Sequence, residues 1–126
     1  MKLQDQVITE EQADKMKRLG IDQDALYYHT HSEKWGVMPK GSIDFSGDPS
    51  AAFTVAELGT MLPAGYDTMR FTEHPEDRWF GYDTSGDTFP GEDCWKTEAE
   101  ARGAMLIHLL ETNTITAEEV NARLKA

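Results

Sequence analysis

The feature that most constrains the fold is a nearly unbroken apolar segment late in the chain, KTEAEARGAMLIHLLET at Lys96–Thr112. Thr97 can cap a helix there, and Glu100 follows three residues later, which is the spacing of a capping box. The apolar residues that follow go almost all the way round a helical wheel: Ala101, Ala104, Met105, Leu106, Ile107, Leu109 and Leu110. A helix that is apolar on every side is covered on every side. The sequence therefore predicts a central buried helix onto which the other elements pack.

Three further capping boxes mark the starts of shorter helices. They are Thr9 with Gln12, Thr54 with Glu57 and Thr116 with Glu119, each preceded by an apolar residue suited to a hydrophobic staple. The helices predicted from them span Glu10–Leu19, Val55–Leu62 and the residues after Thr116.

Two pairs of segments rich in aromatic and β-branched residues predict β-hairpins. The first pair is Ala25–Thr30 with Trp35–Met38, and the second is Tyr66–Thr72 with Arg78–Asp83. Lys40–Ser50 carries Gly, Ser, Asp and Pro and predicts a loop. Because short turns join each strand pair, the sequence predicts an α+β fold: a small antiparallel sheet from two hairpins, packed against the central helix and the shorter helices.

Length and charge limit the classes of function. A chain of 126 residues suits one domain, residues 1–126. Its formal net charge of −11 repels phosphate backbones and anionic lipids, so we expect no direct nucleic-acid binding and no membrane binding. Cys94 is the single cysteine, which excludes an intrachain disulfide. No signal peptide or membrane span is recognisable, so we expect a cytoplasmic protein.

The strongest local pattern for chemistry is His29-Thr-His31, because residues two apart on a strand share a face and both imidazoles could reach one metal ion. A zinc site needs three or four ligands, and His74, Glu73, Asp77 or Cys94 would have to supply the others. The alternative is two ordinary surface histidines at a hairpin turn. Since no catalytic or nucleotide-binding motif is present, we expect a non-enzymatic protein without a cofactor.

The remaining candidates are aromatic residues on the predicted strands. If one set faces outward, it makes a patch suited to a protein partner, with Tyr28, Trp35, Trp79 and Tyr82 as candidate contact residues. The alternative is that these side chains belong to the core. The hairpins also have edge strands through which a homodimer could form.

Four segments resemble small uncharacterised proteins encoded by bacteriophages and prophages. The segments are ITEEQADKMKRLGID (Ile8–Asp22), LYYHT (Leu26–Thr30), TVAELGTMLPAGY (Thr54–Tyr66) and TEAEARGAMLIHLLE (Thr97–Glu111). The resemblance implies a shared fold and an origin in a mobile element, with a bacterial host cell as the site of action. It implies no functional residue, since such proteins have no known catalytic motif and the matched positions of the last two segments are helix caps and core residues.

These observations favour a non-catalytic phage or prophage accessory protein that binds a protein partner, for example to modulate a host nucleic-acid-binding or defence machine. One alternative is a small metal-binding protein or enzyme that uses His29 and His31 with nearby carboxylates. Another is a minor structural or assembly component of the virion.

Overall fold

A computed structural model of the chain describes residues 2–32, 36–41, 48–71, 78–90 and 94–125. Its helices are α1 (Glu10–Arg18), α2 (Val55–Met61), α3 (Glu98–Glu111) and α4 (Ala117–Lys125). Its strands are β1 (Tyr27–His29), β2 (Val37–Pro39), β3 (Ser50–Ala51), β4 (Asp67–Phe71) and β5 (Arg78–Tyr82). A single 3-10 turn, Leu3–Asp5, precedes α1.

The predicted α+β class is confirmed, and both hairpins form. The strands make two small antiparallel sheets, one with the order β2-β1-β3 and one with β4 beside β5. Strand β3 lies at the end of the segment predicted to be a loop, and it pairs Ser50 with His29 and Ala51 with Tyr28. A strand of only two residues has no hydrophobic periodicity that would reveal it in the sequence. Its partner strand β1 is also about twenty residues away along the chain.

Helix α3 is the centre of the fold, as its sequence predicts. It packs against α1, α2, β4 and β5. Its buried residues are Ala99, Ala101, Gly103, Met105, Leu106, Ile107, Leu109 and Leu110. One stripe departs from this burial, because Ala104 is half-buried while His108 and Glu111 are exposed. These positions are four and three residues apart and therefore lie along one line of the helix.

The predicted helix starts are also confirmed. The boxes at Thr9 and Thr54 form both of their reciprocal hydrogen bonds, with Gln12 and Glu57. The Thr97 hydroxyl accepts a hydrogen bond from the Glu100 N–H at 3.1 Å, and the Thr116 hydroxyl accepts one from the Glu119 N–H at 3.1 Å. Each threonine satisfies an N–H group that has no partner within its helix.

The start of α1 lies unusually close to α3 at Gly103. A Cβ atom placed there would be 2.9 Å from Ile8 Cγ2 and 3.0 Å from Gln12 Oε1. The Gln12 side chain uses this proximity to donate a hydrogen bond to the Glu100 carbonyl oxygen at 2.9 Å. Helix α4 packs against α2, and its Val120 joins the shared core. Among the described helices, none has both the length and the apolar character required to cross a bilayer.

Candidate functional site

His29, the first member of the predicted pair, is a buried structural residue with 8% of its surface exposed. Its Nε2 lies 2.7 Å from the Ile8 carbonyl oxygen, and since a carbonyl can only accept, Nε2 carries the proton. Burial lowers the pKa of His29 from its ordinary value, and the hydrogen bond to Ile8 opposes that shift. His29 therefore holds β1 to the segment before α1, and its Nε2 is already engaged.

The His31 side chain does not share a strand face with His29. Strand β1 ends at His29, and the backbone at His31 has a left-handed φ of +63°. Its ring faces two carboxylates of α1: Nδ1 is 3.1 Å from Glu10 Oε1, and Nε2 is 3.6 Å from Asp14 Oδ1. Glu10 and Asp14 are four residues apart, so they share one face of the helix. The predicted pairing of His29 with His31 at one metal is therefore not what the structure shows; His31 meets the two carboxylates instead.

Ser50 contacts both Asp14 and His31 from the buried side. It is 1% exposed, and its hydroxyl donates to Asp14 Oδ1 at 2.5 Å while lying 3.3 Å from His31 Nε2. Strand β3, which carries Ser50, is fixed to α1 by Lys17, whose ammonium bonds Asp48 Oδ1 at 2.7 Å and the Pro49 carbonyl at 3.1 Å. The four side chains Glu10, Asp14, His31 and Ser50, here termed the His31 cluster, are thus positioned by three separate elements.

The other residues suggested as metal ligands do not contribute to this cluster. Glu73, His74 and Asp77 lie outside the described residues. Cys94 is exposed, contrary to the usual burial of a free cysteine. Within the part of the chain that the structure describes, the residues grouped closely enough to hold an ion are Glu10, Asp14 and His31.

The aromatic residues predicted to contact a partner do not form one exposed patch. Tyr28 is buried at 8% exposure, and its hydroxyl donates to the Gln23 carbonyl oxygen at 2.7 Å. Trp79 and Tyr82 are partly buried and lie three residues apart on β5, so their side chains leave opposite faces of the strand. Trp35 lies outside the described residues. Among the described residues, the large apolar side chains that are exposed are instead Leu26, at 62%, and Met69, at 45%.

A groove of about 420 Å³ lies over the one uncovered stripe of α3, and it is here termed the α3 groove. Ala104, Ile107 and His108 of α3 contribute to its lining, together with Trp95 and Pro90. The remaining lining residues are Thr9, Glu11, Gln12 and Lys15 from the α1 side, and Glu100 and Glu111 from α3. Trp95 is held by two backbone hydrogen bonds to Trp79, of 2.8 and 2.9 Å, which extend the edge of β5.

Negative charge dominates the α3 groove. Among the described residues that line it, three are carboxylates, Glu11, Glu100 and Glu111, and one is the ammonium of Lys15. Lys15 itself lies 3.2 Å from Glu111 Oε2, so part of its charge is already matched. The apolar part of the lining, here called its floor, consists of Ala104, Ile107, Pro90 and Trp95. The groove therefore combines an apolar floor with an acidic lining.

Sequence reasoning missed both arrangements in part. The spacing of Glu10 and Asp14 on a predicted helix was a usable signal for the His31 cluster, but Ser50 reaches it through a strand that the sequence did not reveal. The polar residue His108 within the apolar run of α3 was the visible signal for the α3 groove.

Comparison of the chain with protein-family models, with curated proteins and with solved structures finds no match.

Proposed function

We propose that this chain is a non-catalytic accessory protein of a phage or prophage that binds a basic segment of a protein partner in the α3 groove. The observation that carries the proposal is the uncovered stripe of an otherwise buried helix, lying in a groove lined by an aromatic ring and three carboxylates. The origin rests on the resemblance of the four sequence segments described above.

The volume of the groove sets the scale of what enters it. A space of about 420 Å³ is the size of a small-ligand pocket and accommodates one or two side chains rather than a whole helix. The partner therefore presents an extended or helical segment that anchors itself through a few residues. Such anchors commonly supply most of the binding energy of an interface.

Arginine is the anchor that fits this lining best. Its aliphatic stem packs on an apolar floor, and its guanidinium stacks on an aromatic ring and bonds carboxylates through two parallel N–H groups. Trp95 supplies the ring, while Glu11 and Glu100 supply carboxylates without an ammonium partner among the ion pairs of the described residues. A host nucleic-acid-binding protein is the partner class that presents such basic segments, and the net charge of −11 favours the encounter.

The test is affinity capture from bacterial lysate with three forms of the protein: wild type, Glu11→Gln/Glu100→Gln, and the control Glu118→Gln/Glu119→Gln. The control removes the same charge from exposed positions in the first turn of α4. We expect the groove variant to lose one protein that wild type and control both retain. Moderate salt should reduce its capture as well, because the attraction is screened.

The identity of the captured protein completes the test. The proposal requires its contact region, mapped by crosslinking, to contain arginine or lysine. Equal capture by the wild type and the groove variant would contradict the proposal, as would a partner whose contact region is acidic.

A further inference from the structure

We propose that the His31 cluster binds a divalent transition-metal ion, with Glu10, Asp14 and His31 as protein ligands. This site is separate from the α3 groove, and the inference does not depend on the proposed function. Helix α1 contributes to both, but Glu10 and Asp14 belong to the site while the neighbouring Glu11 and Lys15 face the groove.

The distances within the cluster suit a metal ion. One ligand atom from each of the three residues lies within 4.8 Å of the other two. Three atoms at the corners of such a triangle are at most about 2.8 Å from its centre, whereas bonds to zinc are about 2.0–2.2 Å long. The three ligand atoms are therefore slightly too far from a common centre to bond one ion as they stand, and side-chain rotation has to bring them closer.

The ring orientation identifies which carboxylate moves. An imidazole binds a metal through one nitrogen, and here Nδ1 faces Glu10 while Nε2 faces Asp14. Asp14 is held in place by the buried Ser50 hydroxyl, whereas the Glu10 side chain is 57% exposed and has room to turn. Metal binding at Nε2 therefore keeps Asp14 nearly fixed and brings Glu10 across as the third ligand.

Ser50 has the role of a supporting residue in this arrangement. Hydroxyl and amide groups that bond a ligating carboxylate fix its orientation and strengthen metal binding. Ser50 is 1% exposed and bonds Asp14 at 2.5 Å, and Lys17 anchors the preceding residues Asp48 and Pro49 to α1. The site is thus built on a buried polar group and is not merely a set of surface carboxylates.

The donor set selects the class of ion. One imidazole with two carboxylates suits Zn²⁺ and related transition ions, whereas Mg²⁺ and Ca²⁺ prefer oxygen ligands alone. Three protein ligands leave a fourth position for water. Zinc is the appropriate probe, and magnesium is the appropriate comparison.

The experiment is calorimetric titration of the untagged full chain, first freed of metal, with ZnCl₂ and separately with MgCl₂ at pH 7.5. The test variants are His31→Asn and Glu10→Gln. Asparagine tolerates the left-handed backbone at position 31, and Glu10 is exposed, so both variants should fold. The matched controls are His108→Asn and Glu11→Gln, which alter an exposed histidine and an exposed glutamate outside the cluster.

We expect one zinc ion per chain, a loss of affinity of about tenfold or more in either test variant, and no comparable change in the controls. Magnesium should bind much more weakly than zinc. The proposal would be overturned by three results: no zinc binding at millimolar concentration, equal binding by His31→Asn and wild type, or equal affinity for magnesium and zinc. Circular dichroism spectra that match the wild type establish that a lost site is not a lost fold.

Discussion

At the scale of single residues, Gly103 shows how α1 and α3 are brought into close contact. It lies inside α3, where glycine normally weakens a helix by roughly 0.5–1 kcal/mol relative to alanine. Its lack of a side chain allows Ile8 and Gln12 to approach the α3 backbone. The close packing of α1 on α3 therefore depends on this position.

We expect Gly103→Ala to lower the free energy of unfolding by about 1–2 kcal/mol, because the cost of overpacking exceeds the gain in helix propensity. Chemical denaturation measures the difference. Gly59→Ala is the control, since Gly59 is exposed in α2 and a Cβ there comes close only to the guanidinium end of the Arg102 side chain and to no backbone atom. A Gly103→Ala protein as stable as wild type would contradict the close contact.

His29 links stability to pH. Burial lowers its pKa in the folded state, so below its ordinary pKa of 6.5 the unfolded chain binds a proton more readily than the folded chain. This contribution to stability is therefore present above about pH 6.5 and is lost as the pH falls toward the folded-state pKa. Between pH 7.5 and 5.5, with chelator present, we expect a smaller loss of stability in His29→Gln than in wild type. Equal slopes would show that His29 takes up its proton equally in both states.

At the scale of elements, capping chemistry and hydrophobic pattern were sufficient to locate the helices. The predicted Glu10–Leu19 and Val55–Leu62 each end within one residue of the observed helix, because threonine caps and apolar stripes are local signals. Strand β3 and the separation of the strands into two sheets depend on contacts between distant residues. For the same reason the sequence did not predict the whole His31 cluster, since Ser50 and Asp14 are far apart along the chain and no sequence pattern links them.

Loss of the Thr97 cap and loss of the Thr116 cap should destabilise different amounts of the structure. Thr97 begins the central helix, so Thr97→Ala should reduce global stability by about 1 kcal/mol. Thr116 begins α4, whose one buried residue is Val120, so Thr116→Ala should act mainly by opening α4 locally. Hydrogen exchange distinguishes the two cases. Equal acceleration of exchange throughout the chain in both variants would contradict this difference.

At the scale of the whole molecule, the proposed function places a protein partner on the uncovered stripe of an otherwise buried helix. The net charge of −11 belongs to the chain as a whole, and the α3 groove brings three carboxylates together with an aromatic ring and apolar side chains. The charge was evident from the sequence. The position of His108 was a sequence signal for the uncovered stripe, but the contribution of α1 residues to the groove was not evident, because it depends on contacts between distant parts of the chain.

Site-specific photocrosslinking tests this account most directly. A benzophenone amino acid is placed at His108, in the α3 groove, and in a second protein at Leu26, which is 62% exposed and does not line the groove. The account predicts that the benzophenone at position 108, but not the one at position 26, joins covalently to an arginine- or lysine-containing segment of one host protein. Crosslinks at position 26 with none at position 108 would show that the partner binds elsewhere and would contradict the assignment of the groove.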